Sequence, residues 1–336
     1  MSTKTKVLVI FAPTASGKTA LTRELFSPQG SHFILKAEII SADSQAVYKE
    51  MNIGTAKPDA ELQKEIPHHL INLLTPDQQY NVSDFVNDAD LACQEIASRG
   101  NLPLVVGGTG FYIRSFLYGI APTPVSDEKL RNKLKDRIAR EGNLALYEEL
   151  KTIDPQSAAK IHPNDAYRIC RALEVYYLSG KKRSDFKPQG QKQGEGQDQN
   201  QLRDKFDFHF LVLEPPRDLL YERIRHRVDL MFHAGLQEEV SSLVNKGYTK
   251  ESPGLKAIGY SEWFDQDGNF LPHQKAFSSA DLEKIKENIK HHSTKYAKKQ
   301  YTYIRDIPGS TIIDFTGSEE NFQNISRFIK DLADNI

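Results

Sequence analysis

Residues 7–19 read Val7-Leu8-Val9-Ile10-Phe11-Ala12-Pro13-Thr14-Ala15-Ser16-Gly17-Lys18-Thr19. An apolar run rich in β-branched residues leads into a loop that closes on Gly17-Lys18-Thr19, and a helical stretch, Ala20 to Phe26, follows. Strand, glycine-ended loop and helix in that order make a phosphate cradle. Loop N–H groups point at the anion, and the helix N-terminus adds its positive end. Ala12, Pro13, Thr14, Ala15, Ser16, Gly17, Lys18 and Thr19 are therefore candidate diphosphate-binding residues. Lys18 supplies a point charge, and the Thr19 hydroxyl is the candidate Mg²⁺ ligand. The common spacing is Gly, four residues, then Gly-Lys-Ser/Thr; here Ala12 holds the first place. If that place needs positive φ, alanine costs on the order of 1 kcal/mol there.

Other short apolar runs, Ala37–Ser41, Leu104–Val106 and Phe208–Leu213, read as further strands of a parallel sheet covered on both faces. A helical pattern over Val82–Ser98 separates two of them, which predicts a doubly wound α/β core. From Pro122 to about Phe206 the texture turns helical and charged, with patterns at Asp127–Arg140, Leu144–Thr152 and Asn164–Leu178. The expected organisation is a discontinuous core, residues 1–121 and 206–316, interrupted by a helical insertion at 122–205 and followed by a tail helix at 317–336. Later helices are expected at Leu219–Ala234, Leu236–Lys246 and Ala280–Tyr303. Residues 189–201 hold six Gln, three Gly and no apolar side chain, a composition that cannot bury a core.

With 336 residues, 39% hydrophobic and 26% charged, the chain has the make-up of a soluble globular protein. Its net charge of −1 gives no global field for a polyanion, so nucleic acid would have to be held by local patches. The five-residue apolar run near the start is too short for a signal peptide or a membrane span. Cys93 and Cys170 lack metal-site spacing and read as reduced residues of a cytosolic protein.

Several residue groups carry candidate chemistry. The second strand ends in Asp43-Ser44-Gln45-Ala46, where an open α/β sheet places ligands. Asp43 can serve there as metal ligand or general base, or simply cap the next helix. The third strand ends in Gly107-Gly108-Thr109-Gly110, either a close backbone approach to a ligand or a plain turn. Arg223 and Arg227, four apart beside an apolar stripe, suit a grip on diphosphate or a solvated helix face. Lys290–Arg305 interleaves Lys290, Lys295, Lys298, Lys299 and Arg305 with Tyr296, Tyr301 and Tyr303. That mixture fits phosphate contact with base stacking, or a helix packing its tyrosines on the core. His68-His69 has no partner at metal spacing and reads as orienting a loop.

Taken in order, these motifs resemble the tRNA dimethylallyltransferase family over about Val7 to Arg305. The phosphate loop Pro13–Thr19, Asp43-Ser44-Gln45 with Val47-Tyr48, and Met51 through Pro58 match its pattern. So do His68-His69-Leu70-Ile71, Val106 through Gly110 with Tyr112, Arg168 through Tyr176, Arg227 through Met231 and Ala257 through Tyr260. The resemblance implies a P-loop NTPase-like parallel sheet core with a helical insertion that embraces a tRNA anticodon stem-loop. It implies transfer of a dimethylallyl group from dimethylallyl diphosphate to an adenosine beside the anticodon, with Mg²⁺. Carried over residue by residue, Asp43 is the base, Thr109 hydrogen-bonds at the reacting centre and Arg227 binds diphosphate. Asp43, Ser44, Gln45, Ala46, Thr109, Arg131, Tyr167, Arg168, Ile169, Cys170 and Arg171 match stretches that contact tRNA. A cytoplasmic monomer without membrane association is implied as well. The chain departs from the family at Ala12, at Tyr167 where Gln is usual, at Thr294 beside a missing Arg, and at Lys299 where Arg is usual; lysine cannot reproduce a bidentate phosphate grip. The rival functions are a small-molecule kinase on the same loop, a prenyltransferase of free adenine nucleotides, and a non-catalytic RNA-binding protein.

Overall fold

The structure, a computed structural model, describes residues 4–187, 202–271, 277–304 and 309–333. The glutamine-rich stretch 189–201 and Arg305 lie outside the described residues.

In chain order the first elements are β1 (Lys6–Phe11), α1 (Lys18–Phe26), β2 (Ala37–Ala42), α2 (Ala60–Glu65), β3 (His68–His69), α3 (Val82–Ser98), β4 (Leu102–Gly107) and α4 (Gly110–Tyr118). A helical series follows: α5 (Glu128–Glu141), α6 (Asn143–Ile153), α7 (Pro155–Ala158) and α8 (Ala166–Ser179). The chain then returns to the sheet through β5 (Asp207–Leu213), α9 (Arg217–His233), α10 (Leu236–Asn245), α11 (Ser279–Ile304), β6 (Thr311–Ile313) and α12 (Glu319–Ala333). The six strands pair in parallel in the order β3-β2-β4-β1-β5-β6. This is a P-loop NTPase-like sheet. β1 lies between β4 and β5 and is covered on both faces, so its apolar residues run on without alternation and Val7 through Phe11 are all buried.

The sheet strands are longer at their ends than the apolar runs alone suggest, because Gly107 and Ala42 still pair in register. Two strands were not legible. β3 is two histidines at an edge, and β6 is three residues paired to β5. His69 is held there by its Nε2 contact to Glu38 at 2.7 Å, and His68 faces the Ile66 carbonyl at 2.7 Å. Among the described residues no cluster of three or more His, Cys, Asp or Glu could hold a metal.

The chain folds as two compact units, residues 118–203 and the remainder. In the larger unit, α1 and α12 cover one sheet face, with Leu21, Leu25, Ile325 and Ile329 buried against Leu8, Ile10 and Leu104. α12 is thus part of this core rather than a separate tail. A second cluster joins α9, α10, α11 and residues 254–264 around Trp263 and Tyr260. In the smaller unit, α5, α6, α7 and α8 enclose Leu134, Leu146, Leu150, Ile169 and Leu173. Asp127 and Asp165 cap α5 and α8 by accepting from Leu130 and Arg168 backbone N–H groups.

Candidate active site

Three strand ends meet at the carboxyl edge of the sheet. The Ala12 N–H donates to the Gly107 carbonyl at 3.3 Å, and the Thr109 N–H donates to the Ala42 carbonyl at 3.2 Å. Backbone hydrogen bonds therefore tie the loops after β1, β2 and β4 together at their roots. Glycine makes the approach possible, since a Cβ on Gly107 would lie 2.1 Å from the Ala42 oxygen.

In the loop after β1, Ala12 is buried and does not take positive φ, so alanine carries no conformational penalty at that place. The left-handed residues are Ala15 at φ 60° and Gly17 at φ 97°. Gly17 opens α1 without a side-chain cap, and the first turn holds no acidic residue. That leaves the positive end of the helix free for an anion. Lys18 folds back on the loop, donating to the Pro13 carbonyl at 2.8 Å and the Ala12 carbonyl at 3.2 Å. Burial lowers its pKa to about 8, opposed by the nearby Asp43 carboxylate and reinforced by Arg227.

The two arginines of α9 divide their work. Arg223 clamps backbone, donating to the Ser16 carbonyl at 3.2 Å and the Thr316 carbonyl at 2.6 Å. Arg227 faces the loop from the other side, donating from Nη2 to Thr14 Oγ1 at 2.7 Å, while its Nε is buried without a partner. The Ser16 hydroxyl is a second buried polar atom there with no partner. Among the described residues these two atoms have no partner, and buried groups of this kind are satisfied by water, an ion or a polar ligand. Burial lowers the Arg227 pKa against the pull of Asp43.

Asp43 does not cap a helix. Its Oδ1 accepts from the Gln45 N–H at 2.9 Å, forming a local turn. Its charge reaches Lys18, Lys57, Arg227 and Tyr296. Thr109 Oγ1 accepts from the Ser44 N–H at 3.1 Å, so the ends of β2 and β4 present Asp43 and Thr109 together. Ala46 is buried, and the Gln45 side-chain oxygen is buried without a partner.

Residues outside the expected set complete the wall. Tyr296 of α11 lies beside Thr109, and burial, with the charge of Asp43 adding and Thr109 opposing, pushes its phenol up to about 12. One turn later, Gln300 bridges the Thr14 N–H and the Gly108 carbonyl. The i, i+4 spacing of Tyr296 and Gln300 was the available signal, but it was masked by the lysines between them. Tyr301 is buried and donates to the Pro215 carbonyl, while Lys295, Lys298 and Lys299 stay exposed. Lys57, with its pKa lowered to about 8 mainly by burial, pins its loop by donating to Asn72 Oδ1 at 2.7 Å. A pocket of about 650 Å³ beside Arg227 is lined by Ile53, Ala56, Lys57, Leu230 and Met231 among others.

The smaller unit holds the remaining candidates. Tyr167 is 71% exposed, and Arg168 is exposed beside Asp165. Ile169 and Cys170 are buried in the helical core, so their side chains pack rather than face solvent. Arg171 and Arg131 converge on the buried Glu174, with Arg171 Nη1 at 2.6 Å and Arg131 Nη2 at 3.5 Å. Arg171 also donates to the Pro124 carbonyl at 2.7 Å.

The IPP transferase family model matches residues 46–307. The chain belongs to this family. It is 37% identical to the tRNA dimethylallyltransferase of Geobacter sulfurreducens over 96% of this chain and 95% of that protein. It is 42% identical to the enzyme of that name from Sulfurihydrogenibium sp., over 89% of each. Among solved structures, the tRNA isopentenylpyrophosphate transferase of Bacillus halodurans is 34% identical with a TM-score of 0.64, covering 98% of this chain and 96% of that one. A eukaryotic dimethylallyltransferase described as acting on tRNA is 30% identical with a TM-score of 0.77, covering 98% of this chain and 80% of that one. In this IPP transferase the loop carrying Lys18 and the Asp43 carboxylate belong to one strand-end cluster.

Mg²⁺ suits the donors present. It takes one or two protein oxygens together with phosphate oxygens and water, and the Thr19 hydroxyl in the first turn of α1 is the oxygen donor that would hold it.

Proposed function

We propose that this protein transfers the dimethylallyl group of dimethylallyl diphosphate to the N6 amine of adenosine 37, next to the anticodon of tRNA, and releases diphosphate. The observation that carries the proposal is the clustering of anion grip and carboxylate. Lys18, Arg227 and an uncapped helix end surround the phosphate loop, while Asp43 stands within electrostatic reach of both cations.

The chemistry follows from that pairing. The C1–O bond of the donor breaks, and its electrons leave with diphosphate. The adenine nitrogen forms a bond to C1 and loses a proton. Allylic carbon tolerates positive charge, so charge developing on the leaving group dominates the barrier. Loop amides, Lys18 and Arg227 stabilise it. Mg²⁺, when bound, would be held by Thr19 and would add to the neutralisation of the phosphates. Asp43 receives the amine proton, and Thr109 orients the nitrogen. The apolar part of the pocket beside Arg227 accommodates the five-carbon group. The adenine must be extruded from its stack, which costs less in a loop than in a duplex. Exposed Tyr167 and Arg168 and the outer lysines of α11 serve as tRNA contacts in this reading. The protein acts as a cytoplasmic monomer, and among the described residues no helix is long and apolar enough to cross a membrane.

The test is incubation with dimethylallyl diphosphate and Mg²⁺ and either unmodified tRNA or AMP. Prenylated tRNA alone is the expected product. Prenylated AMP would move the acceptor to free nucleotides. Phosphate transfer from ATP with no prenyl product would make the protein a kinase, and no product from any donor would leave a binding protein.

A further inference from the structure

The loop after β1 and the loop after β4 come from different strands, yet the proposed reaction requires them to be aligned. One holds the leaving diphosphate and the other presents Thr109 to the incoming nitrogen. Backbone hydrogen bonds join their roots, but one side chain joins their tips. Gln300, 3% exposed, accepts from the Thr14 N–H through Oε1 at 2.8 Å and donates from Nε2 to the Gly108 carbonyl at 2.6 Å. A backbone N–H can only donate and a carbonyl can only accept, so this amide has a single orientation that satisfies both partners. Gly108 is shaped for the contact, since a Cβ there would sit 2.3 Å from Gln300 Nε2. The two tips are also where the working groups attach. Thr14 Oγ1 receives Arg227, and Thr109 follows Gly108 directly.

We propose that Gln300 is a positioning residue that locks the diphosphate loop and the Thr109 loop in one register, so that the donor carbon and the acceptor nitrogen are held at reacting distance. This rests on the prenyl-transfer reading. Gln300 is buried and its amide is engaged at both ends, so the side chain acts through Thr14 and Gly108. Reacting atoms must approach to about 3–3.5 Å with aligned orbitals, and a misplacement of about 1 Å costs about 100-fold in rate.

The experiment compares wild type, Gln300→Met, Gln300→Glu and Ser293→Ala. Methionine keeps length and removes both hydrogen bonds. Glutamate keeps the acceptor for Thr14 and turns an oxygen against the Gly108 oxygen. Ser293 is buried on the same helix, about two turns before Gln300, and its variant controls for burial alone. Turnover of dimethylallyl diphosphate on tRNA, calorimetric binding of inorganic diphosphate and urea midpoints are measured for each. Both Gln300 variants are expected to lose about 10- to 100-fold in kcat/KM for the donor. They should bind inorganic diphosphate more weakly and keep the wild-type KM for tRNA, while Ser293→Ala behaves as wild type. A Gln300→Met protein with wild-type donor kinetics and diphosphate binding overturns the assignment. So does a loss shared equally by Ser293→Ala or matched by a lower folded fraction. If wild type makes no prenylated tRNA, the prenyl-transfer reading fails by itself. The diphosphate titration then still decides whether Gln300 shapes the loop.

Discussion

Lys18 is the residue whose chemistry is most changed by its surroundings. In water a lysine ammonium is charged throughout the neutral range, but here burial brings its pKa to about 8. Only the charged form attracts an anion, so affinity for inorganic diphosphate should fall as pH rises through about 8. Diphosphate itself gains negative charge over that range and would push affinity the other way, which makes the sign diagnostic. Calorimetry from about pH 6.5 to about pH 9.5, spanning that pKa, should show the fall in wild type and not in Lys18→Met. A steady rise in wild type would remove Lys18 from the grip. At the neighbouring strand end, Asp43→Asn preserves the acceptor for the Gln45 N–H but removes the proton acceptor. Its kcat is expected to drop by about 10²- to 10⁴-fold with tRNA affinity retained. An Asn variant with normal turnover would take Asp43 out of the base role.

At the scale of elements, the loop 51–55 depends on a carboxylate contributed from α10. Glu239 accepts from the N–H groups of Asn52, Ile53 and Gly54 at 2.8, 2.9 and 3.2 Å, and from the Tyr260 hydroxyl at 2.6 Å. Gly54 lies so close to Tyr260 that a Cβ would approach its ring to 2.5 Å. Glu239→Gln sets an amide N–H₂ against backbone donors. It should cost about 1–3 kcal/mol, read as a lower urea midpoint. A midpoint equal to wild type would show that the loop does not lean on this group. In the smaller unit, burial pushes the Glu174 carboxyl up, but bonds from Ser126 and Arg171 outweigh it and hold the pKa low. Removing that carboxylate by Glu174→Ala leaves Arg171 and Arg131 without their shared partner. The cost should be about 1–3 kcal/mol, because Arg171 and Arg131 keep part of their side chains in solvent and are not left as buried charges. Thermal unfolding of the full chain measures it.

For the molecule as a whole, pH and salt separate stability from binding. Hydrogen bonds from the Arg99 guanidinium, supported by Asn101 and His69, hold Glu38 at about 2 against the cost of burial. The folded pKa is below the unfolded value of 4.5. This contribution is therefore complete above about pH 4.5 and disappears as pH falls toward 2. It amounts to about 3 kcal/mol. Glu38→Gln should flatten the acid limb of the stability curve, and an unchanged limb would assign acid unfolding to other carboxylates. Binding of tRNA, in contrast, should weaken steeply with added salt, because phosphate contacts release counterions. A flat salt response would argue against the exposed lysines of α11 as a contact surface.

By itself the sequence determined the strand, loop and helix from Val7 to Phe26, the central strands and the helix at Val82–Ser98. These depend on patterns within a few residues, namely continuous apolar runs, a glycine-lysine-threonine loop end and helical periodicity. It also offered Asp43 and Thr109, which stand next to recognisable strand ends, and the pair Arg223 and Arg227 on one helix face, from which only the family resemblance picked Arg227. Only the tertiary structure decided what those neighbours do. It turned Arg223 toward backbone carbonyls and Arg227 toward Thr14, buried Ile169 and Cys170, and gave Arg171 to Glu174. It brought Gln300 across 286 positions to Thr14, and it formed β3 and β6 from segments too short to show a period. The physical reason is that local patterns encode which face of an element is apolar. A polar side chain's partner is set by which distant backbone groups folding leaves to be satisfied.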